Sequence, residues 1–195
     1  MTRDAGVSRQ TRETKIEIHL NLDGAGRADI SSGIPFFDHM LTAFCVHGRF
    51  DLKLMATGDL DVDLHHTVED VGLVLGQALS DALKDKTGIQ RFGNSYVPMD
   101  EALSRVTIDL SNRPYLVFHF PDNLKSGTSF DIHLAKEFFQ SFCVKGGFNL
   151  HIKTEYGVNE HHVLESIFKA MGRALCQATR KTDSAGYPLS SKGML

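Results

Sequence analysis

His65-His66-Thr67-Val68-Glu69 and, ninety-six residues later, His161-His162-Val163-Leu164-Glu165 open two stretches that agree at six of fifteen positions in register. The first runs on as Asp70-Val71-Gly72-Leu73-Val74-Leu75-Gly76-Gln77-Ala78-Leu79, the second as Ser166-Ile167-Phe168-Lys169-Ala170-Met171-Gly172-Arg173-Ala174-Leu175. A His and a Glu four residues apart stand one above the other on a helix and can grip one ion together. The intervening His points about 100° round the helix, so it must serve something else. Two such helices face to face can hold two ions, each taking a His–Glu pair from one helix and the spare His from the other. Imidazole suits zinc, iron, nickel or copper, while carboxylate shifts the preference towards harder ions such as manganese. The spacing alone leaves the metal open.

The repeat extends outward from these helices. Phe44-Cys45-Val46-His47-Gly48-Arg49-Phe50-Asp51-Leu52 answers Phe142-Cys143-Val144-Lys145-Gly146-Gly147-Phe148-Asn149-Leu150, here at an offset of ninety-eight. Each half reads as a helix ending at a glycine, an alternating strand, a polar loop, then the His-His-Glu helix. The period is too long for a solenoid, so one ancestral half-domain has been duplicated and fused. The expected division is residues 1–88 and 89–195, in one fused α+β domain with a sheet-and-helix layer in each half. Under the same offset His39 corresponds to Glu137, and both residue types bind metals. They are the natural fourth ligands of the two sites.

Periodicity supplies the other elements. Lys15 to Leu22 alternates strictly, and Asp23-Gly24 is expected to turn the chain into a second strand beside it. Pro35 opens a helix carrying Phe36, Phe37, Met40, Leu41 and Phe44, closed by Gly48. Arg105–Leu110 and Tyr115–Phe120 are expected to pair around a turn at Asn112-Arg113-Pro114. Residues 121–129 read as a polar loop and the last dozen as an irregular tail. His119, His133 and His151 have no partner in the repeat and read as structural or surface residues.

Composition bounds the function. At 195 residues, 42% hydrophobic and 23% charged, the chain can bury one sizeable core or two fused half-cores. A net charge of −3 without a long basic stretch argues against nucleic acid as a partner. No apolar run approaches the ~18 residues of a membrane span, and Met1-Thr2-Arg3-Asp4 is not the start of a signal peptide. A cytoplasmic protein without membrane association is expected. Cys45, Cys143 and Cys176 show no CxxC spacing, and the first two read as small core residues in a reducing compartment.

Several further segments carry a family resemblance. They are Arg9-Gln10-Thr11-Arg12-Glu13-Thr14, Gly33-Ile34-Pro35-Phe36-Phe37-Asp38-His39-Met40-Leu41, and Gly58-Asp59 before the first His-His-Glu helix. Further on come Arg91-Phe92-Gly93, Met99-Asp100-Glu101-Ala102-Leu103, Ser111-Asn112-Arg113-Pro114-Tyr115-Leu116 and Ser190-Ser191-Lys192-Gly193. Over nearly its whole length the chain resembles the imidazoleglycerol-phosphate dehydratases of histidine biosynthesis. The resemblance implies an internally duplicated fold like ribosomal protein S5 domain 2. It also implies two Mn²⁺ per active site, shared between subunits of a homo-oligomer described for the family as a 24-subunit shell.

Carried over by position, one ion takes His65, Glu69 and His162 with Glu137, and the other takes His161, Glu165, His66 and His39. The family often has His where this chain has Glu137, with His133 as the fallback. The family pattern places Arg91, Arg113, Ser190, Ser191 and Lys192 on the substrate phosphate, where Arg offers a bidentate fork. Asn112 stands where Gly is usual, Leu64 where a second Asp is common, and Ala43 where a Gln contacts substrate.

The reaction itself sets requirements. Dehydrating imidazole glycerol phosphate to imidazole acetol phosphate removes a C–H hydrogen with no adjacent carbonyl to acidify it. Only the imidazole ring can accept the electrons, which implies a metal-held imidazolate that expels the hydroxyl through a diazafulvene-like intermediate. Glu13 is the first choice for the acid/base, with His47, Asp100 and Lys169 assisting. Glu13 has no counterpart in the second half, which lacks an Arg-x-Thr-x-Glu. Two other classes use the same ligands: a dinuclear metal hydrolase acting through a bridging hydroxide, and a metal-storage protein. The storage reading leaves the arginines and the tail without a purpose. With no phosphatase domain appended, the chain is expected to be monofunctional.

Overall fold

The computed structural model describes residues 3–125, 127, 130–182 and 189–190. In chain order these form β1 (Asp4–Gln10), β2 (Thr14–Asn21), β3 (Ala28–Ser31), α1 (Pro35–Gly48), β4 (Asp51–Gly58) and α2 (His65–Leu83). The same sequence of elements then recurs as β5 (Phe92–Met99), β6 (Ala102–Asp109), β7 (Tyr115–His119), α3 (Ile132–Gly146), β8 (Asn149–Tyr156) and α4 (Glu160–Ala178). Two four-stranded sheets result, ordered β1-β2-β4-β3 and β5-β6-β8-β7. The duplication read from the histidine helices is thus a duplication of topology.

Two pairings differ from expectation. β3 does not pair with β2 but lies parallel to β4, and β7 does not pair with β6 but lies parallel to β8. In each sheet the later strand is inserted between the two expected neighbours. Its side chains explain why: β4 turns Leu52 and Leu54, and β8 turns Leu150 and Ile152, fully into the core. β3 offers only the half-buried Ile30, so it goes to the edge. β1 is a further edge strand, pairing antiparallel with β2 from Asp4↔Asn21 to Gln10↔Lys15.

β2 shows the buried–exposed alternation that its sequence foretells, with Ile16, Ile18 and Leu20 inward. α1 starts at Pro35, whose missing N–H costs nothing there, and Arg49 beyond Gly48 closes it in the left-handed conformation at φ 58°. Asp131 caps α3 by accepting from the N–H groups of His133 and Leu134 at 2.9 and 3.0 Å. Asn159 caps α4 through the N–H of His161 at 2.9 Å.

The helices bind the halves together. α2 covers β1 and β2 and packs on α3, while α4 covers β5 and β6 and packs on α1. Glycines make both crossings close: a Cβ on Gly76 would lie 2.7 Å from the Phe142 carbonyl oxygen, and one on Gly172 2.3 Å from that of Phe44. Between the crossings lies an aromatic cluster drawn from both halves. Phe37 meets Phe130 and Phe138 at 5.2 Å, and Phe138 meets Phe168 at 5.6 Å. Each buried ring contributes about 1.5–3 kcal/mol of apolar transfer, so the halves share one core. Cys45 and Cys143 are fully buried within it, and burial pushes the Cys45 thiol up to about 12. Among the described residues no helix is long and apolar enough to cross a membrane.

Candidate metal centre and active site

The α1–α4 crossing assembles the strongest ligand group. His39 on α1 and His161 on α4 both reach Glu165, with Nε2 to Oε2 distances of 3.5 and 3.0 Å. All three ligand atoms lie within 4.8 Å of one another, the only such group among the described residues. Two imidazoles and a carboxylate converging without a closed shell are a donor set that fits a transition-metal or manganese ion with room for further ligands. Burial opposes charge on Glu165, but Lys169, His161 and His39 together hold its carboxyl below the ordinary value. Lys169 Nζ sits 2.6 Å from Oε1, leaving Oε2 to the histidines.

The other expected ligands are arranged differently. His65 and Glu69 approach to 3.7 Å on α2, as their spacing requires. Glu137 is half-buried on α3, and it does not close a three-ligand group with them. His133 is exposed, edge-on to the Phe120 ring at 5.6 Å. The two spare histidines join neither set within the chain. Instead each has its Nδ1 against a carboxylate: His66 lies 3.1 Å from Asp59, and His162 lies 2.6 Å from Glu101. A carboxylate only accepts, so Nδ1 carries the proton and Nε2 keeps the ring's lone pair. The Asp59 contact raises the His66 pKa, and the His162 contact is the main cause holding Glu101 down to about 2.

Glu13 stands at the β1–β2 turn, exposed, 3.9 Å from His66 Nδ1. Its turn is fastened to α2. The Thr11 hydroxyl accepts from the N–H groups of Glu13 and Thr14 at 3.1 and 3.0 Å, and the Thr14 hydroxyl donates to buried Asp70 at 2.5 Å. Arg9 pairs with the same Asp70 oxygen. Glu13 does have a structural counterpart: Glu101 immediately precedes β6 as Glu13 precedes β2, and each faces the second histidine of its helix. The sequence hides the correspondence because no Arg-x-Thr frame precedes Glu101, although both glutamates sit one residue before a strand. Asp59 and Asp70, quoted in the sequence only as parts of longer segments, gain their roles from packing: Asp59 faces His66, and Asp70 is buried against Thr14 and Arg9.

Asp100, at φ 46°, has its carboxylate 3.7 Å from His162 Nε2. His47 is exposed on the last turn of α1; partial burial, Lys169 and Arg173 lower its pKa against the pull of Glu165. The arginines converge elsewhere. Arg91 holds Asp109 at 2.6 and 3.1 Å and donates to the Leu189 carbonyl, next to Ser190. Arg113, largely exposed, stands 3.8 Å from the same Asp109. Ser191 and Lys192 lie outside the described residues.

A duplicated α+β fold with a histidine–carboxylate group able to hold a metal ion at its α1–α4 crossing sets the class of protein. The imidazoleglycerol-phosphate dehydratase family model matches residues 32–175. The chain is 55% identical over 195 residues to the enzyme of that name from Desulfosudis oleivorans, covering all of both chains. It is 54% identical to that from Syntrophobacter fumaroxidans, covering 99% of this chain and 98% of the other. A crystal structure from Pyrococcus furiosus superposes with a TM-score of 0.85 at 35% identity, covering 97% of this chain and 100% of that one. One from Staphylococcus aureus superposes at 0.82 and 37%, covering 92% and 99%. The chain belongs to the imidazoleglycerol-phosphate dehydratase family, the hydro-lyases of histidine biosynthesis.

Proposed function

We propose that this chain, in the cytoplasm, dehydrates imidazole glycerol phosphate to imidazole acetol phosphate at two-metal sites completed between subunits. The observation that carries the reading is the His39–His161–Glu165 group, whose ligand atoms all lie within 4.8 Å of one another. Held by carboxylates, His66 and His162 have Nε2 available but find neither ligand set in their own chain. A neighbouring copy brings them in: His66 to His39, His161 and Glu165, and His162 to His65, Glu69 and Glu137. A homo-oligomer, the 24-subunit shell in our reading, follows from that sharing. Two manganese ions, when bound, would supply positive charge at the imidazole ring, favouring its deprotonated form, which pushes out the neighbouring hydroxyl with that bond's electron pair and takes up the pair left by the departing C–H proton.

This chain's own residues do the rest. Lys169 fixes Glu165, and Asp59 and Glu101 fix the spare histidines. Glu13, tethered through Thr11 and Thr14 to Asp70, holds and moves the proton at the carbon that keeps its hydroxyl. Asp100 and His47 border the same helices and orient the polyol. Arg91 and Arg113, with Ser190, Ser191 and Lys192, take the phosphate. The test is dehydratase turnover of the purified chain with and without manganese, with metal counted in His66→Ala and Glu69→Ala. Each variant is expected to keep about one ion per subunit, and a different one. Loss of the same ion in both, seen by anomalous scattering, would refute the crossed sharing; hydrolysis of the phosphoester instead of dehydration would favour a dinuclear hydrolase.

A further inference from the structure

Lys86 is the most completely buried charged side chain described, 1% exposed in the connection between α2 and β5. A buried ammonium is costly unless its three donors are matched. Among the described residues no carboxylate touches it. Its Nζ donates to the Asn112 side-chain oxygen at 2.6 Å and to the carbonyls of Gly146 and Gly147 at 3.2 and 3.1 Å. Those carbonyls are the unpaired end of α3, where a cation is favoured by the helix dipole. One nitrogen therefore ties the end of α3 to the β6–β7 turn.

Asn112 itself is at φ 57°, the left-handed region that ordinarily favours glycine. Its side chain spans from Lys86 to within 3.3 Å of where a Cβ on Gly147 would lie. The next residue is Arg113, which shares Asp109 with Arg91. We propose that Lys86 is a positioning residue for substrate phosphate, clamping Asn112 so that the β6–β7 turn presents Arg113 beside Arg91. The inference rests on the reading of those arginines as the phosphate contacts.

The clamp also responds to pH. Burial lowers the Lys86 pKa to about 8, opposed by the Asp109 carboxylate in β6, which Arg91 and Arg113 already engage. On its own connection, Asp85 is turned away to the N–H and hydroxyl of Thr87. As pH rises through about 8, the clamp loses its charge and its hold on Asn112 weakens.

The experiment measures KM and kcat for imidazole glycerol phosphate, and competitive inhibition by inorganic phosphate, in Lys86→Met, Asn112→Gly and Arg113→Ala holoenzymes. Asn112→Gly keeps the left-handed turn and leaves Lys86 on the α3 carbonyls, so it folds even if Lys86→Met does not. Lys86→Met and Asn112→Gly are expected to raise KM and the phosphate inhibition constant about tenfold together, with kcat within about twofold. Wild-type KM should climb above pH 8, and that climb should be absent from Lys86→Met. If Arg113→Ala raises KM while the Lys86 and Asn112 variants do not, the clamp is overturned. If Arg113→Ala leaves KM and phosphate inhibition unchanged, the phosphate reading falls and takes the inference with it.

Discussion

A methyl group placed on Gly172 tests whether the α1–α4 crossing builds the metal site. Its Cβ would stand 2.3 Å from the Phe44 carbonyl oxygen and 2.9 Å from the Gly48 nitrogen, both backbone atoms of α1. Ordinary contact begins near 3.4 Å, so α1 must retreat by about 1.1 Å. His39 rides on α1 while its partners His161 and Glu165 are fixed on α4, and the retreat opens a 3.5 Å approach. Overpacking of this kind costs about 1–3 kcal/mol, and each kcal/mol lowers Tm by roughly 2–4 °C in a chain of this size. Metal affinity should fall on the order of 10–100-fold, as it does when a ligand loses its support. Manganese titration against a competing chelator and a thermal melt of Gly172→Ala measure both. Gly127→Ala is the control, since a Cβ there meets nothing within 4 Å and should change neither. Wild-type metal affinity and Tm in Gly172→Ala would refute the argument that the glycine crossing sets the ligand geometry.

Glu13→Gln should reduce turnover by about 10²-fold or more with metal content, particle size and substrate binding unchanged; turnover above half of wild type would pass the role to His47. If ions are shared between copies as proposed, chelation should abolish activity and break the assembly into smaller species; light scattering before and after treatment decides, and an intact large particle in metal-free protein would count against shared sites. Arg3, at 3.1 Å, and Lys181 hold the Asp23 carboxyl down to about 2. A depressed carboxylate stabilises above its unfolded value of about 3.9 and loses that contribution as pH falls through the folded value. The Tm gap between wild type and Asp23→Asn should therefore shrink from pH 4 to pH 2, and a constant gap would show that the ion pair contributes nothing.

The sequence was most legible where a local rule acts alone. Pro35 and Gly48 bound α1 because both act through backbone conformation, and the His-His-Glu spacing placed His161 over Glu165 because helical geometry allows nothing else. β1 is hard to read because Asp4-Ala5-Gly6-Val7-Ser8-Arg9-Gln10 offers only Ala5 and Val7 to the core, both partly buried, as suits an edge strand beside β2. Strand order is hidden because Asp23-Gly24 and Asn112-Arg113-Pro114 announce turns but not destinations, which depend on how deeply β4 buries Leu52 and Leu54 and β8 buries Leu150 and Ile152. The partners of the spare histidines were hidden for a similar reason. Glu101 meets His162 across sixty-one residues, a distance fixed only once β6 and α4 have packed.

The histidine and glutamate that meet at the α1–α4 crossing are made far apart in time. His39 is synthesised 126 residues before Glu165, which at ~5–20 residues per second is a wait of roughly 6–25 s. Through that interval α1 has no α4 to lie against, and its Phe37 and Phe44 lack the rings contributed by the second half. A nascent chain is thus a sticky half-sheet without the His39–His161–Glu165 group, and truncation anywhere before α4 leaves a product in which that group cannot form.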